Sequence, residues 1–138
     1  MTTTEQVMHG YVEALMSGGD FSRWFSPDVL WTTMETGDEV RGREAVRDLI
    51  VFLHTQAFEV SIELGRVTVA GDGAMLEAVF RGRQIAECFG VASAGGTVDL
   101  PYAVAYDIAD GAITALRAYF PVREAQEQLR SAAALASV

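Results

Sequence analysis

Few residues in this chain can move a proton, and that scarcity shapes how it can be read. Histidine occurs twice, at His9 and His54, and cysteine once, at Cys88. Lysine is missing altogether, all 10 basic residues being arginine. Taking a proton from carbon next to a carbonyl needs a base held within hydrogen-bond reach and tuned by burial. The residues that could serve are His54, at the end of an amphipathic segment, and Glu87, within RQIAECFG. Asp99 and Asp107 lie nearer strand ends. Each main candidate has a plainer reading: His54 as a solvated residue against the last carbonyls of a helix, Glu87 as a surface or interface carboxylate. Tyr11 carries a phenol that can hydrogen-bond a carbonyl or simply fill a helix–sheet core. Cys88 has no basic neighbour except Arg83, which suits a structural thiol better than a nucleophile.

The absences exclude whole classes of chemistry. Without lysine there is no Schiff base and no covalent pyridoxal phosphate. A single cysteine rules out a disulfide scaffold within the chain, and no metal-ligand spacing is present, so neither metal nor cofactor is expected. A formal net charge of −9 opposes binding to phosphate backbones, so no nucleic-acid partner is expected. No apolar run approaches the roughly 20 residues needed to cross a bilayer. The opening MTTTEQ lacks the basic-then-apolar pattern of an export signal, and the default expectation is a cytoplasmic protein without membrane contact.

The elements that must position these groups follow from periodicity. Half of the 138 residues are hydrophobic, enough for one domain with its own core. Glu5 to Met16 has helical spacing and is stopped by Ser17-Gly18-Gly19; Gly42 to Leu53 is a second amphipathic helix. A short helical turn around Phe21 to Phe25 leads to a strand over Val29 to Met34, which places Trp31 and Thr33 on one face. Four long strands follow, the last two being Asp99 to Phe120 around an Ala109-Asp110-Gly111 turn. Alternation separates Leu100, Tyr102, Val104 and Tyr106 from Ala103 and Ala105, and Leu116, Ala118 and Phe120 from Arg117 and Tyr119. A face lined by alanines leaves room for a ligand, so Ala103 is expected inside, with Tyr102 and Tyr106 outside. Val91 to Gly96 reads as a mobile lid, Pro121 to Arg130 as a terminal helical turn, and 132–138 as a flexible tail after a domain spanning 1–131.

This order suits an α+β cone, a curved antiparallel sheet with helices packed on its concave face. In the segments GYVEALMSGGDFSRWFSPDVLW, GDEVRGREAVRDLI and VDLPYAVAYDIADGAITALRAYF the chain resembles the NTF2-like superfamily, and within it the SnoaL-like polyketide cyclases. The resemblance implies a hydrophobic pocket, a small apolar substrate and a homodimer. Matched position by position, the proton-shuttling aspartate of ketosteroid isomerases falls on Thr33 and their second aspartate on Ala103. The acid/base aspartate of aldol-type cyclases falls near Ala118. Of the functional residues matched, only the hydrogen-bonding tyrosine, at Tyr11, is kept. Many SnoaL-like sequences carry histidine where this chain has Gln84.

Three readings follow. The first is a cofactor-independent cyclase, pericyclic or shape-templated, acting on a polyketide-type intermediate. Tyr11, Trp31 and Thr33 would hold the substrate, Ala103, Leu116, Ala118 and Phe120 would line the pocket, and Gln84, Glu87 or His54 would supply polar assistance. The second is epoxide opening, which needs two carboxylates, for instance Glu59 or Glu63 with Glu87. The third is a binding or assembly domain without catalysis.

Overall fold

Thr3 starts the first helix by a reciprocal pair of bonds: its hydroxyl accepts from the Gln6 amide at 3.1 Å, and its own amide donates to Gln6 Oε1 at 2.8 Å. The helix, α1 (Thr4–Ser17), ends at Gly18 in the left-handed region, and it buries Val7, Met8 and Tyr11. A 3-10 turn over Phe21–Trp24 then leads into β1 (Phe25–Thr33), which hairpins into β2 (Asp38–Arg41). Next comes α2 (Arg43–Val51), whose start is tied to β1 by the Arg43 guanidinium donating to the Phe25 carbonyl at 2.8 and 3.1 Å. The rest is β3 (Phe58–Ala70), β4 (Gly73–Gln84), β5 (Thr97–Ala109), β6 (Ala112–Tyr119) and α3 (Val122–Ala136). The computed structural model describes residues 2–136.

The strands form one six-stranded sheet in the order β2-β1-β6-β5-β4-β3, curved and unclosed, with helices on its concave side. The expected α+β cone is therefore present. One junction departs from the expected antiparallel sheet: β1 and β6 run parallel, pairing Trp31 with Leu116 and Thr33 with Ala118. The sheet is consequently mixed.

Register decides what faces the helices. Opposite Val104 on β5 stand Leu76 on β4 and Ala118 on β6; opposite Tyr106 stand Ala74 and Leu116. These residues point inward, together with Leu100 and Tyr102, and most are buried. Ala103 and Ala105 point the other way, beside Tyr119 and Arg117. The expectation for β5 was thus inverted. Alternation separates the two sets of residues but not the two sides, and the larger apolar set wins the core because it removes more surface from water.

The outer face carries the charge. Arg117 grips Asp107 at 2.8 and 3.1 Å, and Arg83 reaches Glu59 at 2.6 Å. Arg81 lies between Glu63 and Asp99.

The terminal segment is longer than expected. Instead of fraying after 131, α3 runs on to Ala136, while 137 and 138 lie outside the described residues. Its Ala125 and Leu129 are buried in one cluster with Phe58, Val98 and Leu100. Gly96 makes this docking possible, because a Cβ placed there would sit 2.3 Å from the Ala132 Cβ. Gly96→Ala should therefore push α3 off the sheet and cost about 1–3 kcal/mol, read as a lower denaturation midpoint. An unchanged midpoint would show that the helix end does not rest there.

Candidate functional site

Between the helices and the concave sheet lie two neighbouring chambers that share part of their lining. Counting the space open to solvent, the outer one spans about 600 Å³ and the inner one about 350 Å³. Trp31, Ile50, His54, Tyr102 and Val104 border both. The inner chamber adds Tyr11, Leu15, Leu76 and Tyr106. The outer one adds Phe80, Phe89, Ala118 and Phe120, with Thr33 and aliphatic residues of α2. Among the described residues, no aspartate, glutamate or arginine lines either chamber.

Each polar group in this apolar space has a definable state. His54 sits in a π turn, Phe52–Gln56, that continues α2 and closes with the Ala57 amide on the Phe52 carbonyl at 2.8 Å. Its ring packs 6.2 Å from that of Phe80. Burial lowers the His54 pKa, so the imidazole is neutral at physiological pH and can accept a proton. Burial pushes the Tyr102 phenol the other way, to about 12. Tyr11 and Tyr106 share a hydrogen bond and are also raised by burial. All three phenols are therefore hydrogen-bond donors rather than bases. The Trp31 indole N–H is already used, donating to Thr33 Oγ1 at 3.0 Å.

Aromatic packing builds the walls. The Tyr11 ring lies 5.6 Å from both Phe25 and Tyr106 and closes the floor. Nearer the mouth, Phe120 sits 5.4 Å from Phe80 and 5.6 Å from Tyr102. Such offset and edge-on pairs hold ring positions beyond what area burial alone would fix.

Of the residues singled out from sequence, Tyr11, Trp31, Thr33, His54, Ala118 and Phe120 meet at the cavity. Leu116 is buried in the adjoining core without lining it. Ala103 lies on the opposite face of the sheet, for the register reason given above. Gln84 is buried but braces a loop: its amide donates to the carbonyls of Ala86 at 3.0 Å and Val91 at 2.8 Å. Glu87 is exposed on that same connection, away from both chambers. Glu59 and Glu63 are bound to outer-face arginines, so the carboxylate pair needed for epoxide opening is not assembled.

Sequence reasoning missed Tyr102 and Tyr106, although the alternating tyrosines flanking Val104 were the available signal. The segment expected as a lid borders neither chamber. Val91 to Gly96 is held down by Ser93 Oγ donating to the Gln84 carbonyl at 3.0 Å and by the Gln84 amide donating to that of Gly96 at 2.8 Å. The part that reaches the cavity is Phe89, at the tip of a two-residue turn between Cys88 and Val91. Phe89 and Gly90 both have positive φ, 54° and 74°. Glycine takes this conformation freely, whereas a phenylalanine pays about 1–2 kcal/mol for it.

Comparison with known proteins agrees with this architecture. The model of the SnoaL-like domain matches residues 9–116. A provisionally named SnoaL-like polyketide cyclase from Jannaschia sp. CCS1 superposes with a TM-score of 0.80 at 20% identity, over 91% of this chain and 90% of that one. A provisionally named polyketide cyclase from Xanthomonas campestris pv. campestris gives 0.78 at 22% identity, over 91% and 96%. A Catenulispora acidiphila protein with a ketosteroid isomerase-like fold, in complex with trimethylamine, gives 0.69 at 19% identity, over 93% and 95%. No curated protein sequence matches the chain.

The buried imidazole has a consequence for stability. Because folding lowers the His54 pKa from its ordinary 6.5, the unfolded chain takes up the proton first as pH falls. This group therefore costs no stability well above that value and destabilises the fold progressively below it. His54→Gln should flatten that part of the acid decline in thermal melts recorded against pH. Parallel curves for the two proteins would mean that the ring is solvated.

Proposed function

The chain belongs to the SnoaL-like domain family, and on that premise we propose that it closes a ring in a neutral, largely apolar polyketide-type intermediate, using only its own side chains. The observation that carries this reading is the lining common to the two chambers, where a neutral imidazole and a protonated phenol border the same apolar space. His54 would take a proton from a carbon beside a carbonyl, while Tyr102 donates a hydrogen bond to the enolate oxygen that forms. The enolate carbon would then attack a second carbonyl of the same molecule. One carbon–carbon bond forms, the attacked carbonyl becomes an alkoxide, and His54 returns its proton to that oxygen. The two chambers would hold the reacting ends close together, and that proximity lowers the barrier further. Chemistry of this kind does not need the missing aspartates.

A surrogate reaction tests the base directly. Exchange of the α-protons of 2-tetralone in deuterium oxide, followed by NMR, should be faster with the protein than with equimolar imidazole. Its rate should rise with pH as His54 loses its proton, with a midpoint below 6.5. His54→Gln should reduce the rate by about 10²–10⁴-fold and Tyr102→Phe by roughly 10²-fold, with binding of the ketone kept. Binding without acceleration in the wild-type protein would replace catalysis with a carrier role, a reading favoured by the absence, among the described residues, of any carboxylate lining the two chambers.

The outer face supports a second copy of the chain as partner. Met75 and Tyr119 are 40% and 47% exposed there, among paired arginines and carboxylates of both signs. Light scattering at micromolar concentration should report twice the chain mass, and Tyr119→Glu should halve it; a monomeric wild type would remove the proposal.

A further inference from the structure

The Cys88–Val91 turn is built at a conformational cost and then fixed from three sides. The Val91 amide donates to the Cys88 carbonyl at 2.9 Å, and the Cys88 amide donates to the Val91 carbonyl at 3.2 Å. From below, the buried Gln84 amide donates to that same Val91 carbonyl. From α3, Gln126 Nε2 donates to the Phe89 carbonyl at 3.0 Å. A turn with two positive φ angles accepts asparagine or glycine at its first central position, yet Phe89 stands there. Strain of this kind persists only where the surroundings over-determine it, and the bonds just named do so.

What the strained position gains is the placement of a ring. Phe89 lies 5.9 Å from Phe120 and 6.5 Å from Phe58, bordering the outer chamber. Its ring is only partly buried, so it is not a core anchor like Phe58 or Phe80. Resting on the proposed role of the cavity in holding an apolar substrate, we propose that Phe89 is a specificity-determining residue that sets how large a ligand the outer chamber admits. Gln84 and Gln126 are the positioning residues that keep it there. The occupant it selects for is an uncharged, flat, apolar molecule, since the chamber it borders offers aromatic faces and, among the described residues, no arginine or carboxylate.

The size limit can be read by equilibrium dialysis with a ladder of neutral aryl ketones: acetophenone, 2-acetylnaphthalene and 2-acetylanthracene. Phe89→Asn and Phe89→Gly suit the turn and remove the ring. In both, the affinity for the three-ring ketone relative to the two-ring ketone should rise by about tenfold or more, with the melting temperature unchanged or raised. Phe89→Tyr keeps the ring and should leave the ladder as in the wild type. A wild type that binds none of the ketones beside an Asn or Gly variant that binds them would support the proposal equally. It is overturned if the ratio stays put in folded Asn and Gly variants, if both variants unfold, or if no ketone binds any of the proteins. Because the ladder measures binding alone, a failure of His54 catalysis in the exchange assay leaves its outcome intact, and the two readings can fail separately.

Discussion

Everything in this molecule depends on the register of β5 between β4 and β6. That pairing turns Leu100, Tyr102, Val104 and Tyr106 toward the helices and Ala103 and Ala105 toward the outer face of the sheet. A slip by one residue would send the tyrosines outside and place alanines over α1, since side chains alternate strictly along a strand. With the observed register, Tyr106 meets Tyr11 at the floor and Tyr102 meets Phe120 on the way to the mouth. Two buried clusters result, one around α1 and one around α3. The outer chamber lies where the two meet, while the inner one is lined by the first cluster and His54. The same register gathers Asp107 and Arg117 on the opposite side, where their charges remain hydrated.

The architecture was legible from the sequence because each element carries strong local signals. The helical spacing of Glu5 to Met16, the Gly18 stop, the helical stripe around Val46 and Ile50, and the Asp110-Gly111 turn are all short-range features. The parallel pairing of β1 with β6 was not legible, since it joins residues more than 80 positions apart through contacts that no local pattern records. The length of α3 was obscured by its alanine-rich end, which reads as a tail until Gly96 is seen making room for Ala132.

The site was legible in part. Tyr11 and Thr33 follow from the resemblance to the family, Trp31 and Phe120 from strand phase beside matched positions, and His54 from its position after an amphipathic helix. The errors have one common cause: they concern which side of an element a residue faces, or what a loop does in three dimensions. Gln84 and Glu87 looked similar in a polar stretch, but one amide is buried under a turn while its neighbour's carboxylate is in water. Phe89 gave no signal, because a phenylalanine in a left-handed turn runs against the turn preferences that sequence reasoning relies on.

The parallel β1–β6 pair also governs the time course of folding. While the chain is being synthesised, β1 emerges early with its inner edge exposed, and its partner arrives only after most of the residues have followed. Closing such a long loop carries its entropic cost before any contact rewards it, which places this topology among slower folders than helical bundles of the same size. Until β6 docks, the apolar side of β1, with Val29 and Trp31, has no strand beside it on that edge. The cavity is therefore among the last features to exist, completed only when the C-terminal third of the chain closes against the N-terminal third.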